Sequence, residues 1–144
     1  MRTLLTAVLL AGAIGCSTPT SADDKSSTAA LEAKAVSAAE RWMKPVDAGN
    51  YAGAWTRAAA MLRDAISQDA FAQALGAARA PLGKVVSRKL KSKTFATELP
   101  GAPDGKYVVI QFTTRFANKK NATETITPML EADGKWRVSG YYIK

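Results

Sequence analysis

Two arginines are the side chains of this sequence best suited to holding an anion. Arg79 and Arg88 flank the helix-breaking segment Pro81-Leu82-Gly83. A guanidinium group presents a planar fork of donors that matches a carboxylate or a phosphate. If either arginine lies inside a curved sheet, it predicts a site for an anionic ligand. The alternative is that each arginine pairs with a local acid or lies on the surface.

Aromatic residues favour a pocket with apolar walls and polar tips, which is typical of small-molecule sites. Trp55, Trp136 and Tyr142 are the aromatic residues that we predict to bind a ligand beside the two arginines. The alternative is that the aromatic residues belong to the core, where their N–H and O–H groups have local partners. The wider aromatic set is Trp42, Tyr51, Trp55, Trp136, Tyr141 and Tyr142.

A basic run follows the first arginine. Lys89, Lys91 and Lys93 alternate along it, and alternate residues of an extended strand share one face. They predict a cationic stripe, a basic surface that would meet anionic lipid. The alternative is a solvated strand whose lysines prevent edge pairing. Nucleic acid is not expected as a partner, because the strand lacks the interleaved aromatic residues that stack on bases.

The residue types present give little support to catalysis. The chain has no His, and its single Cys lies near the N-terminus. We find no phosphate-binding glycine loop, nucleophile elbow or metal-ligand spacing, so no catalytic residue, metal or cofactor is predicted. Most of the domain acids are predicted at turns, helix starts and strand edges, with no sign that they converge: Asp47, Asp64, Asp69, Glu98, Glu124 and Glu131.

The first sixteen residues are typical of an export signal. Arg2 precedes an apolar run over residues 4–14, which is too short to cross a bilayer and fits the core of a secretory signal. The run ends in Ala13-Ile14-Gly15-Cys16, which resembles a bacterial lipobox and predicts lipidation of Cys16. The alternative is simple secretion with cleavage after Ala22. Ser17 favours the outer membrane if the host has two membranes.

The rest of the chain predicts a tether and one domain. Residues 17–27 are polar and predict a flexible spacer, and residues 28–144 predict a single α+β domain. The domain would begin with three helices: one from Thr28 to about Lys44, one from Tyr51 to about Leu62, and one from Gln68 to Arg79.

The second half of the domain changes to the period of β-strands. Four strands are predicted, over residues 84–98, 107–117, 122–131 and 135–143, as an antiparallel meander curled over the helices. Pro128 implies an edge strand or a bulge. In the last strand, Trp136, Val138, Gly140 and Tyr142 are predicted to share a face.

Three segments together resemble a bacterial family, domain-of-unknown-function family 4019. They are residues 47–51 with Trp55, residues 79–83 with Arg88, and residues 133–143, the most specific of the three. The resemblance covers about residues 30–144. It implies a small exported protein with no settled activity, and an architecture similar to the nuclear transport factor 2-like fold, a curved sheet and helices forming a cone around a pocket.

The sequence thus predicts a membrane-anchored envelope lipoprotein that faces the periplasm. Its domain would bind a small apolar or anionic ligand or an envelope protein, without catalysis. One alternative is a small hydrolase or isomerase that uses a pocket carboxylate. Another is a surface interaction module that uses the basic stripe.

Overall fold

The computed structural model describes residues 21–144, so the predicted signal segment and Cys16 lie outside the described residues. The described chain is α+β, with a helical first half and a β second half. Its elements are α1 (Ser21–Asp47), α2 (Tyr51–Thr56), α3 (Ala60–Ala65), α4 (Gln68–Arg79), a 3-10 turn (Ala80–Leu82), β1 (Val85–Ala96), β2 (Tyr107–Phe116), β3 (Ala122–Leu130) and β4 (Trp136–Ile143).

Helix α1 is longer than predicted at both ends. It begins at Ser21, so residues 21–27 are helical and do not form the predicted spacer. It also continues through Pro45 to Asp47, because a proline so close to the end removes only one of the last backbone hydrogen bonds, and Val46 beside it is buried in the core. Among the described helices, α1 included, none has the length and apolar character needed to cross a bilayer.

The helix predicted from Tyr51 to Leu62 is two short helices, which corrects the predicted three helices to four. The break falls at residues 57–59, between α2 and α3. There the Ala59 N–H donates to the Val138 carbonyl on β4 at 2.8 Å, and the Ala60 N–H donates to the Glu131 carboxylate at 2.7 Å. Contacts with the sheet therefore replace the backbone bonds that a continuous helix would have made.

The four strands pair in the order β1-β2-β3-β4, all antiparallel, which confirms the predicted meander. The alternation on β2 is also confirmed: Val108, Ile110 and Phe112 are buried, and they pack with α1 residues such as Trp42 and Met43. The core therefore lies between the sheet and the helices.

Pro128 lies in β3, an interior strand, so the edge position considered for it is wrong. The bulge is present instead: the register between β3 and β4 shifts between Thr127 and Pro128, and Ser139 on β4 has no partner. An interior strand tolerates this proline because the ladder is already irregular there.

A second bulge divides the predicted lysine stripe. Lys89 lies opposite Thr113, Lys93 lies opposite Ile110, and Lys91 between them has no partner on β2. Because directly opposite residues share a face, Lys89 is on the outer face and Lys93 is on the face toward the helices. The Lys93 Nζ lies 4.0 Å from Glu32 of α1. All three lysines are exposed, but the prediction of one shared face is wrong, since the extra residue reverses the facing.

Candidate functional site

A buried charge network lies where the end of α1 meets the sheet, and Glu124 is at its centre. The Glu124 side chain on β3 is completely buried. Arg88 of β1 donates to both of its oxygens, from Nε to Oε1 at 2.7 Å and from Nη2 to Oε2 at 3.1 Å. The Thr114 hydroxyl donates to Oε1 and the Tyr141 hydroxyl donates to Oε2. Each carboxylate oxygen therefore accepts two hydrogen bonds.

Asp47, the last residue of α1, is the second acid of the network. Arg88 donates to Oδ2 from Nη1 at 2.7 Å and to Oδ1 from Nη2 at 2.9 Å. Arg79 also donates to Oδ1, from Nη2 at 2.9 Å. Arg88 thus bridges the two acids with its planar fork and ties α1 to the sheet.

Arg79, at the end of α4, completes the network from its other side. The residue is 6% exposed, and its guanidinium carbon lies 5.0 Å from the centroid of the Phe116 ring. Its Nη1 donates to the Tyr141 hydroxyl at 3.2 Å and lies 3.7 Å from the nearer oxygen of Glu124. Two arginines and two acids therefore meet with balanced formal charge.

The pKa values within the network follow from these contacts. Burial tends to raise the pKa of Asp47, but hydrogen bonds from Arg88 and Arg79 outweigh it and hold that pKa below its ordinary value. Burial lowers the pKa values of Arg79 and Arg88, but Asp47, together with Tyr141 for Arg79 and with Glu124 for Arg88, outweighs burial and raises both pKa values above their ordinary value. Burial, followed by the charge of Glu124, raises the pKa of Tyr141 far above its ordinary value. Around neutral pH, Asp47 therefore stays charged, the two arginines stay charged, and Tyr141 keeps its proton.

Sequence reasoning selected Arg79 and Arg88 but missed the acids that bind them. The sequence showed no sign that the acids converge, and the structure corrects this: Glu124 is fully buried and converges with Asp47 on the two arginines. A signal was present, because Glu124 is in phase with Ala122 and Ile126 on the buried face of β3. Arg79 and Arg88 therefore bind acids of this chain that are distant in sequence, and their donors are used within the fold.

Tyr142 was predicted to share a face of β4 with Trp136 and Val138, but Tyr141 lies on that face instead. The bulge at Ser139 shifts the alternation of β4, so that Tyr141 follows Val138 onto the face that covers the core. Tyr142 is 51% exposed, and Lys144 lies over its ring. The predicted shared face from Trp136 to Tyr142 is therefore wrong beyond Val138, because one extra residue reverses the order.

An open pocket of about 870 Å³ lies between the middle of α1, the end of α2 and the start of β4. Trp42 and Val138 contribute apolar wall from the core, and Trp136 contributes a half-buried indole. The volume falls within the range of roughly 300–1,000 Å³ that is common for small-molecule sites. We call this the basic pocket, for the cations that line it: Lys34, Arg41, Arg57, Lys135 and Arg137.

Only one cation of the basic pocket is paired with acids in the described residues. Arg137 binds Glu131 and Asp133 at the β3–β4 turn. Arg41 donates to the Ser37 hydroxyl at 2.7 Å, which leaves its charge uncompensated. Lys34, Arg41, Arg57 and Lys135 have no salt bridge to any carboxylate of residues 21–144. The described lining includes no acid.

Of the five residues predicted to bind a ligand, Trp136 alone lines the basic pocket. Trp55 packs against the core, and its indole N–H donates to the Ile66 carbonyl at 2.9 Å. Arg79 and Arg88 belong to the charge network, and Tyr142 lies outside both regions. Sequence reasoning missed the cations of the pocket, which come from three separate segments of the chain.

Comparison with known proteins locates the chain in one family. Neither the curated proteins nor the solved structures include a match to it. A family model described as "Protein of unknown function (DUF4019)" matches residues 38–141, which include the charge network and most of the basic pocket. The chain therefore belongs to this family, as the motifs around Asp47, Arg79 and Trp136 indicated.

Proposed function

We propose that this chain is an exported envelope lipoprotein whose domain binds a small ligand in the basic pocket and does not catalyse a reaction. The observation that carries the proposal is the pocket itself: it is open, it has Trp136 and Trp42 in its wall, and its described lining contains no carboxylate. Apolar walls with a few polar groups suit binding. A nuclear transport factor 2-like cone is part of this proposal, supported by helices packed on one antiparallel meander.

The contacts of Glu124 and Asp47 favour binding over the hydrolase or isomerase alternative. A general acid or base must reach the substrate proton, directly or through one water. Both oxygens of Glu124 already accept two hydrogen bonds each, and Asp47 is held by two arginines. Neither acid is among the residues that line the basic pocket.

A neutral fluorescent probe tests ligand binding. N-phenyl-1-naphthylamine brightens in apolar sites, and we expect it to bind the domain at about one site per chain, with energy transfer from tryptophan. Trp136→Ala should weaken binding by about tenfold, since burying an indole against a ligand contributes more than 1 kcal/mol.

Trp55→Phe is the control, because Trp55 lies outside the pocket. Its probe affinity should equal that of the unchanged domain. No saturable binding at all would reject the proposed function, and equal weakening by both variants would place the probe elsewhere.

The export part of the proposal rests on residues 1–16 and has its own test. Cys16→Ser should move the protein from the membrane fraction to the soluble periplasmic fraction. The acyl chains hold a lipoprotein in the membrane because each buried methylene contributes about 0.8 kcal/mol to the binding free energy. Mass spectrometry of the unchanged protein should show an acylated Cys16 as the first residue. A soluble unchanged protein would reject the anchor.

A further inference from the structure

We infer that the ligand of the basic pocket is an amphipathic anion, with a phosphate or carboxylate head on an aromatic or acyl body. This inference rests on the proposed function and names the ligand class that the pocket would select. It is carried by the placement of unpaired cations around an indole, in a pocket whose described lining offers no acid.

The cations come together from elements that the fold brings to one rim. Lys34 and Arg41 lie seven residues apart on α1, two turns of one face, or about 10 Å along the helix. Arg57 ends α2, and Lys135 lies just before β4. Like charges gathered in this way repel one another. A bound anion would remove that repulsion.

The chain contains acids that could have compensated these cations, and the fold places them elsewhere. All twelve acids lie within residues 21–144, and two of them, Glu131 and Asp133, bind Arg137 at the edge of the pocket. In the charge network, by comparison, two arginines are matched by two acids. With Glu131 and Asp133 counted against its five cations, the basic pocket has a surplus of about three positive charges.

Trp136 supplies the apolar part of the site and one further donor. The indole N–H groups of Trp42 and Trp55 donate to the carbonyls of Ala54 and Ile66. The Trp136 N–H has no hydrogen-bond partner among residues 21–144 and is the indole donor left for a ligand. An apolar body against this ring, with its anionic head toward Lys34, Arg41 and Arg57, would use both features of the wall.

A pair of probes that differ only in charge tests the inference. 1-Anilinonaphthalene-8-sulfonate is N-phenyl-1-naphthylamine with an added sulfonate. We expect the domain to bind the sulfonate at least about tenfold more tightly, and the difference to shrink with added salt, because salt screens exposed charges.

Charge variants locate the effect. Lys34→Gln/Arg41→Gln/Arg57→Gln should weaken sulfonate binding by about tenfold or more, since each exposed ion pair is worth up to about fivefold. Lys84→Gln/Lys89→Gln/Lys91→Gln removes the same charge from residues outside the pocket and should leave binding unchanged. Circular dichroism and urea unfolding confirm that both variants remain folded.

Failure of this inference and failure of the proposed function give different results. If the neutral probe binds through Trp136 but the sulfonate binds no better, or both triple variants act alike, the pocket binds ligands without selecting anions. If neither probe binds, the proposed function itself is rejected.

Competition distinguishes the sources of such an anion. Displacement of the sulfonate probe by dodecyl phosphate indicates a free amphiphile, and Arg41-dependent displacement by phosphatidylglycerol vesicles, but not by phosphatidylcholine vesicles, indicates a bilayer lipid. Both results support the inference. Displacement by inorganic phosphate at the same concentration would overturn it, because the apolar body would then contribute nothing.

Discussion

The charge network and the basic pocket both lie next to one tryptophan, Trp42. The centroid of the Trp42 ring lies 5.4 Å from that of Tyr141, which belongs to the network. Trp42 also lines the pocket. In the network, Arg79 and Arg88 are buried or nearly so and meet two acids. In the pocket, four cations meet solvent and no acid of the described residues.

This difference shows that a positively charged side chain can stabilise the fold when it is paired with an acid, or remain available to a ligand when it is not. A buried charge is tolerated only when it is paired and hydrogen-bonded, so the network fixes how α1, α4 and the sheet meet. An exposed cation adds little to stability and remains available to a ligand. Mutations that remove charge should therefore destabilise the fold in the network and leave its stability almost unchanged in the pocket.

The largest effect on stability is expected at the centre of the network. Glu124→Ala leaves Asp47 as the one acid of the network for two arginines, so that a positive charge is uncompensated in a largely buried place, and should cost about 3–5 kcal/mol in the free energy of unfolding. Urea denaturation monitored by circular dichroism measures this loss. Asp64→Asn, which removes an exposed acid outside the network, is the control and should change stability by less than about 0.5 kcal/mol. If both variants lost a similar amount of unfolding free energy, the network would have no special role in stability.

A smaller effect that depends on pH is expected at Asp47. Asp47→Asn should cost about 1–2 kcal/mol at pH 7, less than at Glu124 because the Asp47 side chain is 30% exposed. The pKa of Asp47 in the folded chain lies below its ordinary 3.8. The free energy that charged Asp47 contributes to folding is therefore fully present well above pH 3.8, and it is lost as the pH falls through the pKa of the folded chain.

Urea unfolding repeated from about pH 6 down to about pH 2 checks the sign. The difference between the unchanged domain and Asp47→Asn should narrow as the solution becomes more acidic. Asp64→Asn should follow the unchanged domain at each pH. A difference that widens in acid would mean that the arginines do not favour the charged form of Asp47.

The smallest effect on stability is expected in the basic pocket. Lys34→Gln/Arg41→Gln/Arg57→Gln should leave the free energy of unfolding within about 0.5 kcal/mol of the unchanged domain, or raise it slightly by removing repulsion. The urea midpoint measures it, with Lys84→Gln/Lys89→Gln/Lys91→Gln as the matched charge control. A loss of several kcal/mol would show that these cations have a structural role.

The sequence predicted those parts of the fold that depend on local pattern. The α+β class, the meander and the inward alternation of β2 follow from residues that are near one another in the chain. The family was likewise identified by short motifs, above all by residues 133–143. These features are encoded locally, and they were predicted with boundaries correct to within a few residues except around α1, α2 and α3.

The candidate sites were harder to predict, because single extra residues reverse the facing of a strand. The bulge at Ser139 brought Tyr141 inside and put Tyr142 outside, and the bulge at Lys91 separated Lys89 from Lys93. A period-two pattern does not reveal where such a residue is inserted. The partners of Glu124 lie in other strands and helices, so pairing depended on the tertiary fold.

The interruption between α2 and α3 has a consequence for how readily the basic pocket accepts a ligand. Because the Ala59 and Ala60 amides are bonded to β4 and to Glu131, the rim that carries Arg57 is fixed to the sheet before anything binds. A preorganised rim loses little conformational entropy on association. Hydrogen exchange at the Ala59 amide should therefore be slow in the free domain and change little when a ligand enters.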